Sequence, residues 1–260
     1  MKSYRPATLG SRIAFGITLF ISLTLLLGSC GKRPGPVGIS TAPPWPQAYD
    51  DAIADALNPE PREIAHNLVA ITRDNPTLQW KQINGIPHVL MVSLTGNTTY
   101  YENNVGHPYN TGTYDLWVTA SPEMKQICGS LDLTGEQLKM RLRELLGLVP
   151  DAGVLAFVEF WVKPGDLFRP APDNEIDDTT AGLNLPDNTP AWYRKWFNQL
   201  RAGQYFQSAE PDHNAYPWTQ LGYTYDWGNP QSEQGLSEFV IKENSQVVIQ
   251  AIHPFGNYCR

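Results

Sequence analysis

The sequence predicts an α+β protein: a single globular domain with a mixed or mainly antiparallel sheet and flanking helices. Three observations carry this. The periodicities run helices, strands, helix, strand, helix, strands, which is not a regular βαβ alternation. Asn84-Gly85, set between two strand-like runs, is the residue pair that a tight hairpin turn favours. Val154–Val162 is almost unbroken in apolar residues, as expected of a central strand covered on both faces.

Each element follows from its residues. Tyr49, Ile53 and Leu57 recur at helical spacing among Asp50, Asp51 and Asp55, giving a first helix. Pro61 suits the first turn of a second helix with Ile64, Leu68 and Ile71 inward. Thr77–Ile83 and His88–Thr95 are the hairpin strands, and Tyr114–Thr119 is a third strand. Gly135–Leu146 is a helix with Leu138, Leu142 and Leu145 on one face, a capping box in Thr134 and Gln137, and a stop at Gly147. After the central strand, Lys163-Pro164-Gly165-Asp166 reads as a type II turn. Residues 166–189 are an acidic loop, and the next helix starts with Thr189 as cap and Pro190 first, with Trp192, Trp196 and Leu200 along one side. Leu221–Trp227, Leu236–Ile241 and Gln246–Ile252 close the domain as strands.

Composition bounds the class. A hydrophobic share of 42% lies well above that of a disordered chain, and a net charge of −7 with only 17% charged residues excludes a basic nucleic-acid binder. The N-terminus carries an address. Lys2, Arg5 and Arg12, with no acid, precede the apolar run Ile13–Leu27 and then Leu27-Gly28-Ser29-Cys30. Those 15 apolar residues fall short of the roughly 20 that a membrane span needs. Basic start, apolar centre and small-residue cleavage site together form an export signal. An ordinary secretory signal, or a short anchor with an incidental Cys, is the alternative.

The Leu-Gly-Ser-Cys end resembles the lipobox of bacterial lipoproteins, over residues 1–30 only. The resemblance implies cleavage before Cys30, diacylation of its thiol and acylation of its new amino group. More than one acyl chain anchors stably. Gly31 stands where Asp favours inner-membrane retention in that family, which implies the outer membrane. Residues 1–29 are then the signal, 30–46 a Pro/Gly-rich tether and 47–260 the domain. Removing 29 residues leaves 231 and takes away three bases and no acid, so the charge becomes −10. Phosphate backbones are poor partners for such a chain. Cys128 and Cys259 remain; an oxidising compartment permits their disulfide, and two buried thiols are the alternative.

Candidate chemistry is sparse. Tyr223, Tyr225 and Trp227 alternate on a strand near Trp218, and an exposed stripe of this kind stacks on sugar rings of an envelope glycan; the preferred reading is a buried cross-strand ladder. Glu159 is the only charge in Val154–Val162, so it is either a desolvated general acid or, as preferred, a carboxylate on a face that opens at a sheet edge or pairs with an Arg, Arg169 being a possible partner. Glu238, Asp226 and His213 lie close enough in sequence to suggest an acid/base set, against the preferred reading of three unrelated polar residues on the surface. Asp173, Glu175, Asp177 and Asp178 fail the EF-hand pattern and read as a solvated loop. His66, His88, His107, His213 and His253 are scattered without a zinc spacing, no GxSxG or SxxK occurs, and neither metal nor cofactor is implied.

Three functions fit these residues. The first is a lipid-anchored binding or structural lipoprotein of the cell envelope, with a groove lined by Trp and Tyr. The second is an envelope hydrolase using two of Glu159, Asp226 and Glu238 on glycan or cell-wall material. The third is an accessory subunit of an envelope protein complex, or a secreted effector. The first is the one the residues favour.

Overall fold

A computed structural model describes residues 46–153, 156–206 and 215–260. The signal, Cys30 and the tether up to residue 45 lie outside the described residues, as do Val154, Leu155 and His213. The described elements run α1 (Gln47–Ala56), β1 (Trp80–Ile83), β2 (Ile86–Thr95), β3 (Pro108–Asn110), β4 (Leu116–Ala120), α2 (Ser121–Ser130) and α3 (Gly135–Leu145). They continue through β5 (Ala156–Val162), β6 (Leu167–Phe168), α4 (Ala191–Tyr205), β7 (Tyr223–Tyr225), β8 (Gln234–Ser237), β9 (Phe239–Ile241), β10 (Gln246–Pro254) and α5 (Phe255–Tyr258). The described residues form one unit, and the fold class is the α+β class that the sequence predicts.

The large sheet is ordered β3-β10-β5-β2-β4-β9-β6, with β1 beside β2, and every pair is antiparallel. β5 lies between β10 and β2, and every one of its residues is buried. Its pleat sends Val158, Phe160 and Val162 into one core with Val89, Met91, Val247 and Ile249. Phe157 faces the other core, where α2, α3 and α5 cover the sheet with Met124, Leu138, Leu142, Leu145 and Tyr258. Burying each of those leucines contributes about 1.5–3 kcal/mol. β7 and β8 form a separate two-stranded sheet.

Several local expectations hold because their causes are local. Asn84 and Gly85 take positive φ of 52° and 77°, the pattern of a type I′ turn, and join β1 to β2. The leucine face of α3 is buried. A long-range expectation holds as well: Cys128 of α2 and Cys259 lie at disulfide distance, with Cα atoms 5.0 Å apart.

Others are corrected. Past a three-residue 3-10 turn at Pro61–Glu63 the chain is extended, not helical. There the N–H groups of Leu68 and Ile71 donate to the carbonyls of Thr179 and Ile176, so a second strand of chain replaces the helical partner four residues back. Thr134 makes no side-chain cap bond, and α4 is capped by Pro190 rather than Thr189, whose hydroxyl donates to the Pro186 carbonyl. Pro164–Asp166 is a 3-10 turn; Gly165 has no positive φ, which a type II turn requires. In α4 the buried residues are Tyr193 and Phe197, while Trp192 is 48% exposed.

Candidate functional site

The site begins where the chain passes from one sheet to the other. Ser237 ends β8 opposite Tyr223, and Phe239 begins β9 opposite Val118. Glu238 sits between, its N–H donating to the Gly222 carbonyl at 2.9 Å. Neighbouring side chains on an extended chain point to opposite sides. Ser237 meets Glu123, whose Oε1 accepts from its hydroxyl at 3.2 Å. Glu238 lines a cavity of about 410 Å³.

Four stretches wall this cavity with apolar and aromatic groups: Trp117 of β4, Leu146–Leu148 after α3, Leu200 and Gln204 of α4, and the loop Tyr216–Trp218, with Thr224 and Tyr225 of β7 closing it. A smaller cavity of about 110 Å³ shares Trp117, Leu146, Leu148, Thr224 and Glu238 and reaches to Phe157 and Met124. The chain turns between Leu146 and Leu148 because Gly147 has a φ of 64°; a Cβ there would stand 3.2 Å from the Tyr225 carbonyl oxygen. α4 holds the aromatic loop through Gln204 Nε2 and the Tyr205 hydroxyl, which donate to the carbonyls of Tyr216 and Trp218 at 2.9 and 2.6 Å. The Trp218 ring packs edge-on against Trp117 and Phe197, and its Nε1 donates to the Pro170 carbonyl.

Most polar groups in the wall are already used. The Thr224 hydroxyl donates to the Leu145 carbonyl and accepts from the Leu236 N–H, and the Tyr225 hydroxyl donates to Asp55. The carboxyl of Glu238 differs: among the described residues it has neither a hydrogen-bond partner nor an ion pair. Burial alone pushes it up to about 8. At neutral pH it is mostly protonated.

The other predicted residues lie elsewhere. Asp226 is buried and held by both terminal nitrogens of Arg141, at 2.7 and 2.5 Å. That bidentate pair joins α3 to the turn after β7, and Asp226 does not line the cavity. Glu159 is buried on the helix side of β5. Ser121 Oγ donates to its Oε1 at 2.6 Å and His253 Nε2 lies 3.1 Å from Oε2, while the Tyr258 hydroxyl is 2.9 Å from Ser121 Oγ. The carboxylate stands between Ser121 and His253, so His253 is not placed to take a proton from the serine. Arg169 is not the partner of Glu159. It is fully buried and donates to the carbonyls of Glu175 and Asp178, at 3.0 and 2.8 Å, organising the acidic loop. In that loop Asp173, Glu175 and Asp178 bring one oxygen each within 4.8 Å of one another, and Asp173 and its neighbours raise the Glu175 carboxyl. These three could ligate a cation, although acidic loops gather in this way without one.

The aromatic stripe is corrected too. β7 spans only Tyr223–Tyr225, and a turn follows in which the Asn229 N–H donates to the Asp226 carbonyl. Trp227 therefore leaves the alternation. It packs edge-on against Tyr49, with centroids 5.6 Å apart, and its Nε1 donates to the Leu148 carbonyl. Tyr223 is 1% exposed, with its hydroxyl on the Glu63 carbonyl. Tyr225 and Trp218 do line the cavity, with Trp117, Leu146 and Leu148, which sequence reasoning did not single out. No signal in the sequence marks Trp117, because nothing in its own strand distinguishes a cavity wall from a core face. No protein-family model, no curated protein and no solved structure matches this chain.

Proposed function

We propose that this chain is a lipid-anchored binding protein of the bacterial cell envelope, attached through Cys30, whose domain takes a small ligand in the cavity at Glu238. The anchor rests on the lipobox-like residues 27–30 and the signal before them. The ligand site rests on one observation: an aromatic-walled cavity of about 410 Å³ containing a single carboxyl with no partner among the described residues. Mostly apolar walls with few polar groups are the usual character of a small-molecule site. Among the described residues no helix is long and apolar enough to cross a membrane.

The two-carboxylate hydrolase draws no support from this geometry. Its chemistry needs two acids flanking one bond, about 5–5.5 Å or 6.5–9.5 Å apart. Of Glu159, Asp226 and Glu238, only Glu238 lines the cavity.

Trp117 and Trp218 report binding directly, since both line the site. Titration of the purified protein with 2-phenylethanol, 2-phenylethylamine and 3-phenylpropionate, read by tryptophan emission, gives saturable binding of at least one of them. Leu200→Trp, which fills the cavity while leaving the circular dichroism spectrum unchanged, abolishes it. Absence of saturation with all three, or binding indifferent to Leu200→Trp, removes the basis of the ligand site. Metabolic labelling with palmitate that survives Cys30→Ala refutes the anchor.

A further inference from the structure

We propose that the cavity ligand is an organic ammonium with an apolar body, its charge on the Glu238 carboxylate and its body against Trp117, Trp218 and Tyr225. This rests on the cavity being a ligand site and names the class of ligand it takes.

The charge pattern selects the class. Among the described residues Glu238 is the only acidic side chain in the wall, and no Lys, Arg or His lines the cavity. Arg201 and Glu238 both act on Tyr205; Arg201 Nη2 donates to the Leu57 carbonyl, and its Nε has no partner among the described residues. Glu123, on the neighbouring helix α2, accepts from Ser237 through Oε1, while its Oε2 has no partner among the described residues. The other titratable groups about the carboxyl are the phenols of Tyr205, Tyr216 and Tyr225; Tyr205 and Tyr225 hold their protons more tightly than usual because they are buried. Among the described residues the half-buried Glu238 carboxyl thus has no counter-charge. An unpaired buried charge is costly, and a cation brought in by a ligand removes that cost. Indole and phenol faces attract the same cation. A ligand carboxylate meets the opposite field.

The wall offers little else to a polar ligand. Thr224, Trp218 Nε1, the Tyr225 hydroxyl and Gln204 Nε2 are bonded to the protein. A neutral alcohol would gain one hydrogen bond with either form of Glu238. An ammonium gains most from the ionised form, so below about pH 8 its binding releases a proton from this carboxyl.

The same three probes test the assignment, titrated at pH 6, 7 and 8. The expected result is at least tenfold tighter binding of 2-phenylethylamine than of 2-phenylethanol at pH 8. Amine affinity falls about tenfold per pH unit below that, while alcohol affinity stays level. Glu238→Gln removes both the preference and the slope and retains the alcohol. Equal affinities, a flat amine profile, or a preference that survives Glu238→Gln overturns the assignment while the cavity remains a ligand site. Binding of none of the three overturns both.

Discussion

Glu238→Gln also changes the pH dependence of folding, in a direction opposite to ordinary acid denaturation. An unfolded Glu titrates near 4.5, and Glu238 in the fold near 8. Between those values the folded state holds a proton that the unfolded state has released, so stability is full below pH 4.5 and is lost as pH rises towards 8. At 1.36 kcal/mol per pH unit the full difference corresponds to about 5 kcal/mol. Gln has the same shape and does not ionise. The variant and the parent therefore unfold at similar urea concentrations at pH 4.5, and the variant becomes the more stable by about 4–5 kcal/mol at pH 8.5. Glu123, pushed up to about 7 by burial, adds a slope of the same sign to both proteins and cancels in the difference. Urea melts followed by circular dichroism at half-unit steps give the two curves. Parallel curves across the range would show that Glu238 is hydrated or paired, and the reasoning about the cavity would fall with it.

Two further outcomes are expected from the framework. Replacing Cys128 and Cys259 by Ser opens a loop spanning 131 residues, which costs about 4–5 kcal/mol in loop-closure entropy; melts with and without reductant measure it, and a reductant-insensitive parent would show the thiols unpaired. Arg141→Met strands the buried Asp226 carboxylate and lowers stability by about 3–5 kcal/mol, whereas Arg141→Met with Asp226→Leu recovers most of it; a double variant no better than the single one contradicts the ion-pair account.

What could be read from the sequence were features whose causes lie within a few residues. The Asn84-Gly85 turn, the leucine face of α3 and the two-sided burial of β5 are of that kind. The segment after Pro61 misled because Ile64, Leu68 and Ile71 do face inward, yet from an extended chain bonded to residues 176 and 179. Helix α2 went unseen although Pro122 and Glu123 in its first turn mark its start and Met124 and Cys128 bury its inner side. The cavity was the least visible part, since its walls come from residues 117, 146–148, 200–204, 216–218, 224, 225 and 238. Each of those aromatics is equally at home in a core. Glu238 stood out only as a charge in a strand, and its closeness in sequence to Asp226 misled, because Asp226 is held by Arg141 away from the cavity.

The passage of the chain between sheets also fixes what a small sequence change can do here. Ser237 and Glu238 occupy alternate sides, so deleting or inserting one residue in the turn between β7 and β8 would exchange them. The cavity would then hold a hydroxyl, and Glu238 would be driven towards Glu123, which now receives the Ser237 hydroxyl and N–H. Two buried carboxyls in contact tolerate at most one charge. The turn is therefore intolerant of length change although its residues Ser232 and Gln231 are exposed.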